Sequence, residues 1–156
     1  MSASFLYDCF KAALFNKLVN LNGGDTINMC LVNSTYAGLA AATDGTSTVS
    51  STPTYASVIA GNGYEVTGTG YTAGGQALSG PNTALSGNTL NFGVTASSSG
   101  DVTWSSSSIT ASGAVLYDAA TGMLIAYLDF GGSQVSAGGN FTVSWSGASY
   151  ILIAAT

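Results

Sequence analysis

The side chains able to do chemistry in this chain are few and far apart. Its carboxylates are Asp8, Asp25, Asp44, Glu65, Asp101, Asp118 and Asp129, no two closer than eleven residues, and it has no histidine. General acid–base catalysis draws on His, on paired carboxylates, or on a Lys whose pKa has been displaced. A Ser-His-Asp or Cys-His arrangement is closed to a chain without His. Folding brings Asp118 and Asp129 together most easily, across a hairpin, but singly they read as solvated turn and edge carboxylates. Zinc centres need clustered Cys and His, and calcium loops need clustered carboxylates; neither pattern is present. The run Gly68-Thr69-Gly70-Tyr71-Thr72-Ala73-Gly74-Gly75 carries no Lys, lacks the G-x-G-x-x-G spacing and leads into no long helix. It reads as a tight connector whose glycines supply positive φ, not as a phosphate cradle. No catalytic, cofactor-binding or metal-binding residue is assigned, and the chain is expected not to be an enzyme.

Charge narrows the partners. Only 6% of the 156 residues are charged, against about 25% in an ordinary soluble protein. The two cations, Lys11 and Lys17, lie at the N-terminal end, and from Leu18 onward there are six acids and no base. The body can form no internal side-chain salt bridge, and its surface has to be built from Ser, Thr, Asn, Gly and backbone. Phosphate backbones are bound through several Lys or Arg, so nucleic acid is excluded as a partner. An anionic membrane surface is excluded on the same ground. The apolar run at 150–155 is far short of the roughly 20 residues a membrane helix needs. Asp8 and Lys11 interrupt the N-terminal apolar stretch and no basic region precedes it, unlike a secretory signal. Cys9 and Cys30 are the only cysteines; they can pair, but on apolar segments they read first as buried thiols formed under reducing conditions.

The elements that must carry these residues follow from periodicity. Leu6, Phe10, Ala13, Leu14, Leu18 and Leu21 recur at helical spacing behind Ser4 as N-cap, and Asn22-Gly23-Gly24 stops the pattern. From residue 26 the period becomes two: Ile27, Met29 and Leu31 alternate with polar neighbours as a half-buried strand. Residues 33–51 read as a soft loop. Thr52-Pro53 can open a helical turn through Ile59, and Asn62-Gly63 a turn before a short strand at 64–67. Leu90, Phe92 and Val94 alternate, as do Val102 and Trp104, then Ile109, Ala111, Gly113, Val115 and Tyr117. Asp118 to Gly122 reads as a hairpin turn, with a return strand from Met123 to Phe130 ended by Gly131-Gly132. Gly138-Gly139-Asn140 introduces the last strands, with Phe141, Val143 and Trp145 alternating before 150–154. Phe92, Trp104, Val115, Leu128, Phe141 and Trp145 form the expected core; for the two tryptophans, packing is preferred to stacking on a sugar. Asn33-Ser34-Thr35 and Asn140-Phe141-Thr142 match the glycosylation pattern, which arises often by chance in a Ser/Thr-rich chain. The fold expected is a single domain, 1–156, mainly β: an antiparallel β-sandwich or barrel, jelly-roll-like, with one N-terminal α-helix. Residues 1–24 hold the helix, and 25–156 the β body with a loop-rich insertion about 33–60.

Three stretches carry a resemblance. The first is Val66-Thr67-Gly68-Thr69-Gly70-Tyr71-Thr72-Ala73-Gly74-Gly75-Gln76-Ala77-Leu78. The second is Val102-Thr103-Trp104 with Ser108-Ile109-Thr110-Ala111 and Ala114-Val115-Leu116-Tyr117-Asp118. The third is Leu124-Ile125-Ala126-Tyr127-Leu128-Asp129-Phe130-Gly131 with Gly139-Asn140-Phe141-Thr142-Val143-Ser144-Trp145. Their order resembles small virion structural proteins of tailed bacteriophages, closely over 65–145 and loosely over the opening helix and first strand; 33–60 departs from it. The resemblance implies a capsid decoration (cement) protein, with a minor tail or fibre component or a carbohydrate-binding adhesin as the alternative. It implies the major capsid protein and copies of itself as partners, a homo-oligomer with a trimer favoured, and a place on the outer surface of the virion after synthesis in the host cytoplasm. An acidic body would be repelled by packaged DNA, which also favours the outside. Uncharged polar surface buries area without desolvating ions, and a protein that binds only the assembled shell stabilises it by linkage.

Overall fold

Two long antiparallel strands organise the backbone of the computed structural model, which describes residues 4–21, 24–37, 53–79, 81–86, 89–94, 101–144 and 149–154. In chain order the elements are β1 (Phe5–Leu6), α1 (Asp8–Phe15), β2 (Ile27–Val32), a π-helical turn (Tyr55–Ile59) running into a 3-10 turn (Ala60–Asn62), β3 (Gln76–Ala77), β4 (Pro81–Ser86), β5 (Thr89–Val94), β6 (Val102–Asp118), β7 (Leu124–Val143) and β8 (Ser149–Ala154). One sheet has the order β1-β7-β6-β2-β3 and a second the order β4-β5-β8. Every pairing is antiparallel. The chain is mainly β with a short N-terminal helix, and the pairing among the described residues leaves two open sheets. No described helix is long and apolar enough to cross a membrane.

The expected break at Gly131-Gly132 does not occur. β7 continues from Leu124 to Val143 because its glycines are absorbed as bulges. Between Ala111 and Gly113 β6 advances two residues, while β7 moves from Gln134 to Asp129 through Gly132 and Gly131. Between Ser107 and Ser108 the extra β7 residue is Gly138, at φ 80°. A bulge places an unpaired residue in αL at little cost when it is glycine. The hairpin divides in two. Its turn-proximal half is flanked by β2 and β1 and is buried, with Ala114, Val115, Leu116, Leu124, Ile125 and Tyr127 in the core. Its distal half is a two-stranded ribbon, and 131–135 and 137–140 are exposed.

β2 departs from the half-buried strand expected. Ile27, Met29, Cys30, Leu31 and Val32 are all buried, and only Asn28 is partly exposed. Between β6 and β3, β2 is covered on both faces, which period-two reading cannot detect when both faces are apolar. Glycine is required where β3 meets it: at Gly75 (φ 71°) a Cβ would lie 1.8 Å from the Met29 carbonyl oxygen. Of the other expected core residues, Trp104, Val115 and Phe141 are buried and Leu128 packs partly against them. Trp104 is 1% exposed, and truncating a side chain so placed costs ~3–5 kcal/mol. The Phe92 side chain and Trp145 lie outside what is described.

The helix is shorter than its hydrophobic pattern. Tyr7, not Ser4, is the N-cap, and no side chain caps it; the Ser4 hydroxyl instead accepts from the Asp129 amide. Helical spacing extends through Leu21, but the turn closes at Phe15, with Leu18 N donating to Ala13 O and Lys17 N to Leu14 O. That is a Schellman termination, with Lys17 at φ 56° where glycine is usual. Val19 and Leu21 are buried outside the helix, while Leu18 is exposed. The buried helical face is Cys9, Phe10 and Ala13. Within the insertion, 34–37 forms a helical turn. The cap of the turn before Ile59 is Thr54, two residues beyond the expected Thr52, with Thr54 and Ser57 forming a reciprocal capping box. The strand expected at 64–67 is a single bridge, Val32 to Glu65. Residues 38–52 lie outside the described part.

One consequence is directly testable. Trypsin has sites only after Lys11 and Lys17, and anchors lie on both sides of them: Tyr7 and Phe10 before, Val19 and Leu21 after. Because a protease needs a locally unfolded segment, native protein should resist trypsin at both lysines. Mass spectrometry of a time course checks this, and fast clipping at either position would contradict a docked segment.

Candidate functional site

Glu65, alone among polar neighbours in sequence, sits at the centre of the densest polar cluster described. It is half-buried next to the bridge with Val32. Its Oε1 accepts from the Tyr71 hydroxyl at 2.6 Å and from the Gly74 amide at 2.7 Å, and its Oε2 accepts from the Tyr55 hydroxyl. The ring extends outward. Tyr71 Oη accepts from the Leu31 amide at 3.0 Å, Tyr117 Oη donates to Gly74 O at 2.8 Å, and Asn28 Nδ2 donates to Tyr117 Oη at 3.3 Å. Tyr55 stacks on Tyr117 with centroids 4.5 Å apart, and Tyr71 stacks on Trp104 at 5.9 Å. The π-helical turn delivers Tyr55 because its start is stapled to the hairpin end, with Tyr55 N donating to Gly122 O at 2.7 Å.

Burial, then the Glu65 hydrogen bond and charge, drive the Tyr55 hydroxyl well above its ordinary range. Burial drives Tyr71 higher in the same direction, with the nearby Cys30 and Glu65 adding to it. These phenols stay protonated and serve as donors. Each oxygen of Glu65 is already engaged, so the group has the chemistry of a structural anion rather than a free base. A second phenol pair lies deeper: Tyr7 and Tyr36 share a hydrogen bond. Burial lifts Tyr7 well above its ordinary value and Tyr36 to about 12. Tyr127 is raised by burial and then by the Asp129 carboxylate, although Tyr127 Oη and Asp129 Oδ2 do not reach hydrogen-bond geometry.

Asp118 corrects the expectation of a solvated turn carboxylate. It is fully buried, 0% exposed. Its Oδ1 accepts from Ala120 N at 3.0 Å, and its Oδ2 from Thr121 N at 3.1 Å and from the Thr121 hydroxyl. These bonds fix the turn between β6 and β7. Asp129 remains at the edge: it is half-buried and its Oδ1 accepts from Gly131 N. The two carboxylates are not brought together as a pair; each serves its own turn or bulge. Both cysteines are free and buried, and burial raises both thiols, Cys30 strongly, so neither is a ready nucleophile. No group of three His, Cys, Asp or Glu among the described residues could hold a metal.

Two hollows mark the surface. One, about 620 Å³, lies between the connector and the ribbon and is lined by Glu65, Thr67, Ser108, Thr110 and Ser136 among others, with no aromatic among the described residues of its wall. A sugar would find hydroxyls there but no stacking platform, and Trp104 is buried rather than presented. The other, about 370 Å³, is formed by β7 curling on itself around Phe130, Gln134, Val135, Phe141 and Val143. Of the two glycosylation patterns, Asn33 has its amide committed to Gly63 O while its Oδ1 caps the turn at Thr35 and Tyr36. Asn140 is exposed on β7. The Glu65 cluster escaped sequence reading, because no spacing rule links Tyr55, Glu65, Tyr71 and Gly74. The signal present was an acid with no cation anywhere in the body to answer it. No family model, curated protein or solved structure matches the chain.

Two outcomes follow from this geometry. Asp118→Asn puts an NH₂ group against backbone donors that cannot turn round, so it should lose ~1–3 kcal/mol of stability. Glu65→Gln should lose less, since the Tyr55 hydroxyl can reverse, and Glu65→Ala, which strands three donors, should lose more than Glu65→Gln. Urea titration of the three variants checks the order; an Asp118→Asn chain as stable as the parent would restore the solvated reading. The second outcome concerns alkaline pH. The raised phenols bind protons more tightly folded than unfolded, so their contribution is complete below about pH 10, the unfolded tyrosine value. It should fall away as pH rises beyond that. Absorbance at 295 nm should show Tyr55 and Tyr71 ionising only as the protein unfolds.

Proposed function

We propose that this chain is a virion structural protein, a capsid decoration (cement) protein that binds the outside of a phage head and stabilises the shell by non-covalent packing. The observation that carries this reading is the distal ribbon of β6 and β7. Its β7 side is exposed over 131–135 and 137–140 while Val102, Trp104, Ile109, Phe141 and Val143 are buried, and no charged residue occurs from Val102 to Tyr117 or from Phe130 to Ser144. Such a surface offers hydroxyls, backbone and a few apolar side chains to a partner, and it desolvates no ion when covered. The full engagement of Glu65 and Asp118 within the fold also supports a non-enzymatic role. The resemblance of 65–145 to small phage virion proteins supplies the shell as partner. Copies of the chain are the second partner, as a ring in which a trimer is favoured. A tail or fibre component, or a carbohydrate-binding adhesin, is the alternative.

Particles carrying the protein test the reading. Electron cryomicroscopy should place it on the outer face of the head. Exposed ion pairs lose most of their reach as the Debye length falls from ~10 Å at 0.1 M salt to ~3 Å at 1 M. Packing-driven attachment should therefore survive washing in 1 M NaCl, and loss of the protein in that wash would overturn it.

A further inference from the structure

The three large apolar side chains most exposed among the described residues are Phe15 at 90%, Val135 at 69% and Leu18 at 55%. Scattered exposed apolar residues need no explanation, but these fall into two groups of opposite shape and charge. Phe15 and Leu18 lie together at the end of α1, on either side of its Schellman turn. Lys11 and Lys17, the only cations of the chain, stand on the same short segment. Lys11 bonds Asp8 at 2.7 Å, so the net positive charge of this tip rests on Lys17. Residues 1–17 carry two lysines against Asp8, a net +1, while 18–156 carry six acids and no base, a net −6; together these give the formal −5 of the chain. Val135 belongs to the second group, the 370 Å³ hollow of β7, whose apolar wall includes Phe130, Phe141 and Val143. Asp129 directly precedes Phe130, and Asp101 directly precedes Val102, the partner of Val143. The hollow is concave and sets this apolar wall beside Gln134, Asn140, Thr142 and Ser144, with Asp129 and Asp101 near its two ends in sequence and register.

From this complementarity we propose that copies of the chain associate head to tail, the Phe15–Leu18 tip of one seating in the β7 hollow of the next. The proposal rests on the self-assembling role argued above and specifies its contact. Charge selects the occupant: a body of net −6 over 18–156 favours the approach of the one segment of its copies with a net positive charge, 1–17. Lys17 steers that tip to the acidic body beside the hollow, while apolar burial holds it there. The contact uses two different surfaces of the same chain, so it is heterologous, and such contacts close into rings when the rotation allows. The Lys17 backbone fits the same picture. A lysine in αL is disfavoured relative to glycine, yet here it places a cation at the tip.

Complementation tests the proposal. Phe15→Asp and Val135→Asp alter exposed positions, so each variant should keep the parent circular dichroism and melting temperature. By sedimentation velocity the parent should be a closed oligomer and each variant alone a monomer. Mixed together, the two should form a one-to-one dimer, because the Val135→Asp chain keeps an intact tip and the Phe15→Asp chain an intact hollow. A symmetric contact through either surface could not give that result. Oligomers that persist in both variants would overturn the contact while leaving self-assembly standing. Loss of assembly in only one variant, or no dimer on mixing, would also overturn it. A parent that is monomeric yet coats particles would overturn it too and keep the decoration role. If Phe15→Asp then failed to coat, the tip would serve the shell instead.

Discussion

A carboxylate withdrawn from water needs compensation, and this chain has no basic residue beyond Lys17 to supply it. An isolated ion in an apolar setting is far too costly to keep, so neutral donors must converge on each inward-facing acid. At Glu65 the donors are two phenols and one amide, drawn from two separate stretches of chain, the π-helical turn and the glycine-rich connector. Much of the arrangement depends on that convergence. It pins the glycine-rich connector over β2, so Gly75 must approach the Met29 carbonyl where no side chain fits. It turns Tyr55 towards Tyr117, which ties the π-helical turn to β6 by stacking. It also orients Tyr71 so that the same hydroxyl that donates to Glu65 accepts from Leu31. Hydrogen bonds to a charged group contribute ~1.5–3 kcal/mol each. A cluster of three therefore matters on the scale of a small domain's total stability of ~5–15 kcal/mol.

The same lack of ion pairs shapes the β6–β7 ribbon. Exposed strand edges are usually guarded by lysines, prolines or bulges. Lysine is absent from the ribbon, so bulges at Gly138 and across Gly131-Gly132 do the guarding. They leave only a short regular stretch, Ser108 to Ala111 against Ala137 to Gln134, between two irregularities. The curl that results also creates the hollow of β7, since a flat ribbon would hold Phe130 and Phe141 apart. Protection of the edge and formation of the hollow have one cause, the placing of glycines within a strand rather than at its ends.

How far the sequence discloses this structure depends on which force sets each element. Apolar runs and turn residues predict β5, β6, the hairpin turn at Asp118 and the return strand, and the distal part of β6, from Val102 to Thr110, keeps the alternation of burial apart from its irregularity at Ser105-Ser106. β2 is misread as half-buried because a strand covered on both faces has no such contrast. The helix is overextended because Leu18 and Leu21 keep helical spacing after the backbone has left the helix, and the turn uses Lys17 where a reader looks for glycine. Gly131-Gly132 misleads in the opposite sense: two glycines signal a strand end, but in a bulge they lengthen the strand. The cluster at Glu65 is invisible for a different reason. Its members come together by tertiary pairing, and only the chemical need was on the page.

That need separates the acids into roles that composition alone would have pooled. Asp118 is fully buried and closes a turn, its oxygens taken by two amides and a hydroxyl. Glu65 gathers phenols at the heart of the connector. Asp129 bonds a glycine amide beside a bulge, where one oxygen stays buried and unpaired. In an ordinary protein each of these acids would have a lysine or arginine to meet it, and the surface would carry the remaining pairs. Here two half-buried phenols, Tyr55 and Tyr71, do that work for Glu65, while other tyrosine hydroxyls bond neutral partners, Tyr7 with Tyr36 and Tyr117 with Gly74. Phenylalanine would pack as well at these positions but could not donate. The chain thus obtains from tyrosine both the apolar area of a core residue and the polar contact that others obtain from a cation. The exposed part of β7, 131–135 and 137–140, is left free of fixed charge.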